Sequence, residues 1–228
     1  MTTPTAIRTD FTRTEIVDTA AMDWIASPSG GVDRKPLDRI GGEVARATSL
    51  VRYAPGSDFP SHTHNGGEEF LVVEGIFSDQ HGDYGPGTYV RNPVGTSHAP
   101  GSRDGCTILV KLWQFEEGDT APVVIDTASA DWQAVGQGIE RLHLHRYKSE
   151  KVAMLRFSDG GSLRLPEESG GVELYLLDGR LQVEGQSLAK GGWARLPAGM
   201  AMTLSAPGTA TLYIKTGHLD GPVTGPDA

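Results

Sequence analysis

The chain has 228 residues, with 29 acidic and 20 basic side chains and a formal net charge of −9. That length allows one large domain or two of about 100 residues each, and the acidic balance argues against a nucleic-acid binder, which needs a basic face for phosphate. A single cysteine excludes an internal disulfide framework or a thiolate zinc finger. No apolar run approaches the roughly 18–20 residues that span a bilayer, and the opening MTTPTAIRTDFTRTE has no apolar stretch of the signal-peptide kind. The expectation is a cytoplasmic protein with no membrane partner. Its 30 glycines are about twice the usual ~7 per cent, and point to short strands joined by tight turns.

In chain order, the first informative segment is VDTAAMDW (17–24), because it returns as IDTASADW (125–132). TSLVRYAPG (48–56) likewise returns as VAMLRFSDG (152–160), and EFLVVEG (69–75) as ELYLLDG (173–179). The block GTYVRNPVG (87–95) is matched by GGWARLPAG (191–199), and ILVK (108–111) by LYIK (212–215). From residue 48 onward the offset is constant at 104 positions (48 to 152, 69 to 173), whereas the first pair is 108 apart (17 to 125). Chance similarity does not hold one offset over several blocks, so the chain is a duplicated domain. Each copy reads as strands rich in Val, Leu, Ile, Tyr and Phe, broken by Gly, Pro, Asp and Asn. A strand is expected over 69–77, another from the Gly85-Pro86-Gly87 turn to Pro93, and a third over 106–115. Only 126–135 carries a helix signal, an Asp in N-cap position before a short amphipathic stretch. The expected division is a first barrel over 1–117, an acidic linker over 118–138, a second barrel over 139–218 and a tail over 219–228. Short strands without βα alternation make each copy a small antiparallel barrel or jelly roll.

One constellation in the first copy carries chemistry. His62-Thr63-His64 is followed by Asn65-Gly66-Gly67 and then by Glu68-Glu69. Alternation along a strand points His62 and His64 to one face. The glycine pair lets the backbone turn so that Glu68 or Glu69 reaches the same point. His98 follows on another strand after Pro93-Val94-Gly95. Three imidazoles and a carboxylate converging in a barrel suit a borderline divalent metal.

These spacings resemble the cupin motifs. Gly56, five residues, His62-x-His64, three residues, Glu68, six residues and Gly75 match the first; Gly87, five residues, Pro93-x-Gly95, two residues and His98 match the second. The one departure is Ser102, where the second motif carries asparagine. The resemblance covers nearly the whole chain and implies an all-β protein of two tandem cupin jelly-roll barrels, a bicupin. It implies one metal held by His62, His64, Glu68 and His98, with zinc or iron expected ahead of manganese or nickel. The wording around the motifs is similar to the branch named after ChrR-type anti-sigma factors. Those proteins add a helical zinc-holding N-terminal domain, whereas the first 47 residues here contain neither histidine nor cysteine, so the anti-sigma role is not inherited.

The second copy departs from the motif at every ligand position. By the constant offset His62 becomes Pro166, His64 becomes Glu168, Glu68 becomes Val172 and His98 becomes Met202. Glu168 and Glu173 alone would hold a metal weakly, so this barrel is expected to keep the fold without the ion. Its inner face, expected from Tyr175, Trp193, Met202 and Leu204, is either a packed core or a small apolar pocket. His143 and His145 read as two histidines on one face of a strand rather than a second site. His81 reads as solvated, His218 as part of the tail, Cys106 as a buried apolar residue, and Trp113 and Phe115 as core or interface.

Two functions follow. An open coordination position would make the first barrel a metal-dependent enzyme, dioxygenase-like, acting on a small oxygenated molecule, with Tyr84, Arg91 and Phe70 shaping its pocket. A closed site would make it a zinc-binding sensor or interaction module of the ChrR-like kind. A ligand-sized cavity beside the metal distinguishes them. The expected partners are a small-molecule ligand and, through strand edges, a second copy in a homodimer.

Overall fold

A computed structural model describes residues 6–27, 30–42, 44–167 and 170–226; Glu168 lies outside the described residues. The chain forms two compact units, one from residues 1–9, 23–130 and 224–228, the other from 10–22 and 131–223. Each is an antiparallel β barrel of the expected kind. In the first, the main sheet runs in the order Ala6–Ile7, Val32–Ile40, Arg46–Tyr53, Cys106–Leu112, Glu68–Gly75, Thr88–Asn92 and Val123–Asp126. Short strands Ser57–Asp58, Phe77–Asp79, Gly82–Tyr84 and Gly101–Ser102 form a second sheet, and His62–Thr63 pairs with Ser97–His98 as a separate ribbon.

The leading segment of each repeat behaves differently from a linker. Strand Glu15–Asp18 belongs to the second unit, where it pairs with Gly192–Leu196. Its counterpart Val123–Asp126 belongs to the first, pairing with Thr88–Asn92. The stretch expected as a connector over 118–138 is thus divided: Val123–Asp126 is an edge strand of the first unit, and Gln133–Gly136 pairs with Ile139–Tyr147 in the second. The helix expected over 126–135 is absent. Asp126 does act as a cap-like acceptor, taking the backbone N–H of Ala128 at 2.9 Å, but the chain closes a turn and returns to strand. In the first repeat, Asp18 accepts from Ala20 N–H at 2.9 Å, and only a single 3₁₀ turn, Thr19–Ala21, follows. Side-chain capping satisfies a turn as readily as a helix, so the Asp signal alone did not fix helix length.

Alternation divides the main sheet of the first unit into two faces. Phe70, Val72, Val90, Ile108 and Val110 form the inner core together with Phe77 and Cys106; burial pushes the Cys106 thiol above its ordinary pKa, in keeping with an inert apolar role. The opposite face buries charge. Arg91 is fully buried and donates to Glu69 and, at 2.6 Å, to Asp119, while the Phe115 ring lies 4.0 Å from its guanidinium. Lys111 donates to Thr48 Oγ1 at 2.9 Å. The equivalent residues of the second unit, Glu173, Arg195 and Lys215, are buried as well. Arg91 therefore serves two carboxylates at once. We expect Arg91→Ala to cost about 3–5 kcal/mol, the usual loss when one member of a buried ionic group is removed; denaturant unfolding measures it, and a loss below about 1 kcal/mol would show that the carboxylates do not depend on this cation.

Candidate metal centre

The site is assembled from three short pieces of backbone. His62 faces His98 directly across the ribbon of His62–Thr63 and Ser97–His98. His64 is tied to the same ribbon, its N–H donating to Thr96 O at 2.8 Å and its carbonyl accepting from Gly95 N–H at 2.9 Å. Glu68 opens the strand Glu68–Gly75. The connecting turn needs its two glycines for a reason beyond flexibility. A Cβ on Gly66 would lie 2.0 Å from the Trp113 ring, and one on Gly67 would lie 2.3 Å from the Phe115 ring, with Gly67 also at φ +75°. Trp113 and Phe115 thus clamp the turn that delivers Glu68 to the histidines.

One donor atom from each of His62, His64, Glu68 and His98 lies within 4.8 Å of all the others. The three imidazole rings sit 4.6–5.1 Å apart between centroids and at 78–82° to one another. Glu68 Oε1 is 3.5 Å from both His64 Nε2 and His98 Nε2. The adjacent Glu69 points to the other face and pairs with Arg91, so the carboxylate brought to the histidines is Glu68.

Neighbouring groups set which nitrogens are available. The Thr96 hydroxyl donates to Pro93 O at 2.7 Å, so its oxygen accepts from His64 Nδ1–H at 3.0 Å. His64 Nε2 then carries the lone pair, and it is buried with no hydrogen-bond partner among the described residues. Asp79 Oδ2 lies 3.3 Å from His98 Nδ1, which places the proton there and leaves Nε2 of that ring facing Glu68. Asp79 is held in turn by the His81 backbone N–H at 2.8 Å and the Tyr84 hydroxyl at 3.2 Å. Carboxylate or hydroxyl partners of this kind are how ligating histidines are oriented. Burial, with the neighbouring imidazoles, lowers His64 to a pKa of about 3 and His98 to about 4, Asp79 opposing both. Burial raises Glu68 to about 7 despite its hydrogen bond from Asn92. Neutral imidazoles and a carboxylate deprived of solvent are the donor set that a divalent cation satisfies.

A cavity of about 510 Å³ opens beside these groups inside the same barrel, with His62, His64 and Glu68 in its wall. Phe70, Arg91 and Tyr84 do not line it, contrary to the sequence expectation. Phe70 is core, 4.7 Å from the Phe77 ring; Arg91 is on the opposite face; and Tyr84 reaches the site only through Asp79. The lining instead includes Arg34, Arg39, Tyr53 and Trp113. Asp79 and Thr96 were also invisible in the sequence, because neither belongs to a ligand spacing.

Among the described residues, the second barrel has no comparable centre at the matching positions. Val172 and Met202 are buried core residues, and Pro166 is exposed. Met202 and Leu204 face the core as expected, but Tyr175 and Trp193 alternate to the other face, where Trp193 Nε1 donates to Glu173 at 2.8 Å. Glu173 also meets His218, 3.2 Å away and nearly buried, so His218 is part of the unit rather than a solvated tail. His143 and His145 do not share a face: a bulge between them leaves His143 exposed and His145 buried.

A family model for the ChrR cupin-like domain matches residues 12–116 and again 120–220. No curated protein sequence matches the chain. Among solved structures, a candidate dioxygenase from Nostoc punctiforme is similar over 94% of this chain and 86% of its own, at 14% identity and a TM-score of 0.74. The nickel(II) complex of the Escherichia coli pirin YhhW is similar over 90% and 98%, at 11% and 0.67. Oxalate decarboxylase from Lactobacillus farciminis is similar over 92% and 86%, at 10% and 0.65.

Asp79→Asn and Thr96→Val are expected to weaken metal binding about 10–100-fold each, as loss of an orienting partner does, while leaving the fold intact. Competition against a chromophoric chelator measures this; affinities equal to the native protein's would remove both residues from the site.

Proposed function

The chain belongs to the ChrR cupin-like domain family, and on that premise we propose that its first barrel is a metal-dependent enzyme acting on a small oxygenated molecule. The observation that carries the reading is the cavity: His62, His64 and Glu68 belong to its wall, so a bound ion would face a space large enough for a substrate. A closed zinc site, as a sensor would use, has no need of that space.

His62, His64, Glu68 and His98 would hold one divalent ion. Three imidazoles favour zinc, iron or nickel over the harder ions, and four protein donors are fewer than an octahedral ion takes. The ion would supply Lewis acidity toward a substrate oxygen and, if iron, one-electron chemistry. The protein's own part is positional. Thr96 and Asp79 fix the imidazole tautomers. The apolar lining from Val51, Ile108, Val110 and Leu112 excludes water and strengthens electrostatic contacts to a bound molecule. The finer assignment is dioxygenase-like, supported by the donor set and by the similar fold of the candidate dioxygenase from Nostoc punctiforme.

Elemental analysis of the purified protein is expected to find about one ion per chain. His62→Ala or His98→Ala should lose most of it, and Met202→Ala, in the second barrel, should retain it. Equal loss in all three would contradict a single centre in the first barrel. Native, metal-replete protein that neither consumes dioxygen nor transforms any of a panel of small ketones and oxo acids would leave the enzymatic reading without support.

A further inference from the structure

The cavity carries an unexpected charge. Strand Val32–Ile40 has a bulge between Pro36 and Asp38, seen as a shift in its register with Arg46–Tyr53. Before the bulge Arg34 pairs with Val51; after it Arg39 pairs with Ala47. Strict alternation would put residues five apart on opposite faces. The bulge reverses the parity, and both arginines, with Ala47 and Val51, line the cavity.

The two guanidiniums are not equivalent. Arg39 is buried and donates to the carbonyls of Gly41 and Gly42, which fix it in place. Arg34 is half-buried and has no hydrogen bond or ion pair to any described residue. Among the described residues of the cavity wall the single carboxylate is Glu68, already committed to the histidines. Arg34 therefore brings to this space a cation with no acidic partner among the described residues. Tyr53 also lines the cavity: burial and Glu68 push its phenol above the ordinary value, while Arg34 pulls it down. Its hydroxyl therefore stays protonated and able to donate. A cavity that sets such a cation among apolar wall residues favours an anion that has an apolar body.

We propose that Arg34 anchors the carboxylate of the substrate, which is a small aliphatic oxo or hydroxy acid whose second oxygen is directed toward His62, His64 and Glu68. This rests on the functional reading above, narrowing its substrate class. A guanidinium presents paired N–H donors that match the two oxygens of a carboxylate. The apolar wall between the two ends, including Val51, Ile108 and Val110, suits a short hydrocarbon segment.

Calorimetric titration of the full-length protein, metal-loaded and metal-free, tests the assignment with pyruvate, acetoacetate and levulinate, each against its methyl ester. These acids place the carboxylate at increasing distance from the ketone. At least one acid is expected to bind the native protein about tenfold or more tightly than its ester, the size of a charge-assisted contact. Arg34→Gln should remove that preference while leaving ester binding, metal content and thermal midpoint unchanged, and Arg34→Lys should restore part of it. The proposal is overturned if no acid binds, if acids and esters bind alike, or if Arg34→Gln binds the acids as the native protein does. A protein without metal whose acid binding still depends on Arg34 would sink the metal reading and keep the anchor. A protein with its full metal and no dependence on Arg34 would do the reverse.

Discussion

The register of strand Glu68–Gly75 is the constraint on which the first barrel depends. Side chains alternate along it, so adjacent carboxylates are sent to opposite faces: Glu68 to the histidines, Glu69 to Arg91. A slip of one residue would exchange them and would also turn Phe70 and Val72 out of the core. Pairing alone does not hold such a register. The Gly66-Gly67 turn does, because Trp113 and Phe115 occupy the space where side chains would otherwise stand. Phe115 then continues onto the Arg91 guanidinium, so one aromatic residue fixes both the delivery of Glu68 and the cation opposite Glu69. The metal face and the ionic face are positioned by a single piece of packing.

The two repeats separate what the fold requires from what the chemistry requires. Glu69, Arg91 and Lys111 have counterparts in Glu173, Arg195 and Lys215, buried in both units. Another shared device is the cation over tryptophan: Arg52 lies 4.5 Å from the Trp24 ring and Arg156 lies 3.7 Å from Trp132. Buried charge of this kind is a weak source of net stability but costly to disrupt one group at a time. The candidate ligand positions show no such agreement, since each holds a different residue in the second copy. The ionic face therefore belongs to the architecture, and the histidines are particular to the first copy.

Much of this was legible in the sequence because it is periodic or locally spaced. A constant offset exposed the duplication, and the spacings around His62, His64, Glu68 and His98 exposed residues that the fold brings within 4.8 Å. What escaped depends on geometry that spacing does not encode. Asp79 meets His98 from another strand, and Thr96 accepts from His64 out of the turn before Ser97–His98, each contact joining residues remote in sequence. Arg34 and Arg39 share a face only through a bulge between Pro36 and Asp38, which reverses alternation and whose local sign, a proline inside a strand, was not read as one. The crossing of Glu15–Asp18 and Val123–Asp126 into opposite units was hidden for another reason. The repeated D-T-A-x-x-D-W motif straddles the crossing, with Asp18 in one unit and Trp24 in the other, so similarity marked the segment as one block.

The same physics explains why the second barrel did not keep a vestigial centre. A carboxylate and two imidazoles buried together lose hydration, and the shifts at His64, His98 and Glu68 show burial resisting their charged forms. A divalent ion offsets that cost by giving each donor a partner. A barrel that binds no ion gains nothing from such a group and is better served by apolar side chains of similar bulk. Met202 and Val172 supply them, packed with Leu174, Leu196 and Leu204 in one core. In the first barrel the corresponding volume is partly left open, as the cavity beside His62, His64 and Glu68. Leaving that space unfilled forgoes packing energy of the kind the second barrel collects, and a fold gives up such packing where a ligand is to take its place.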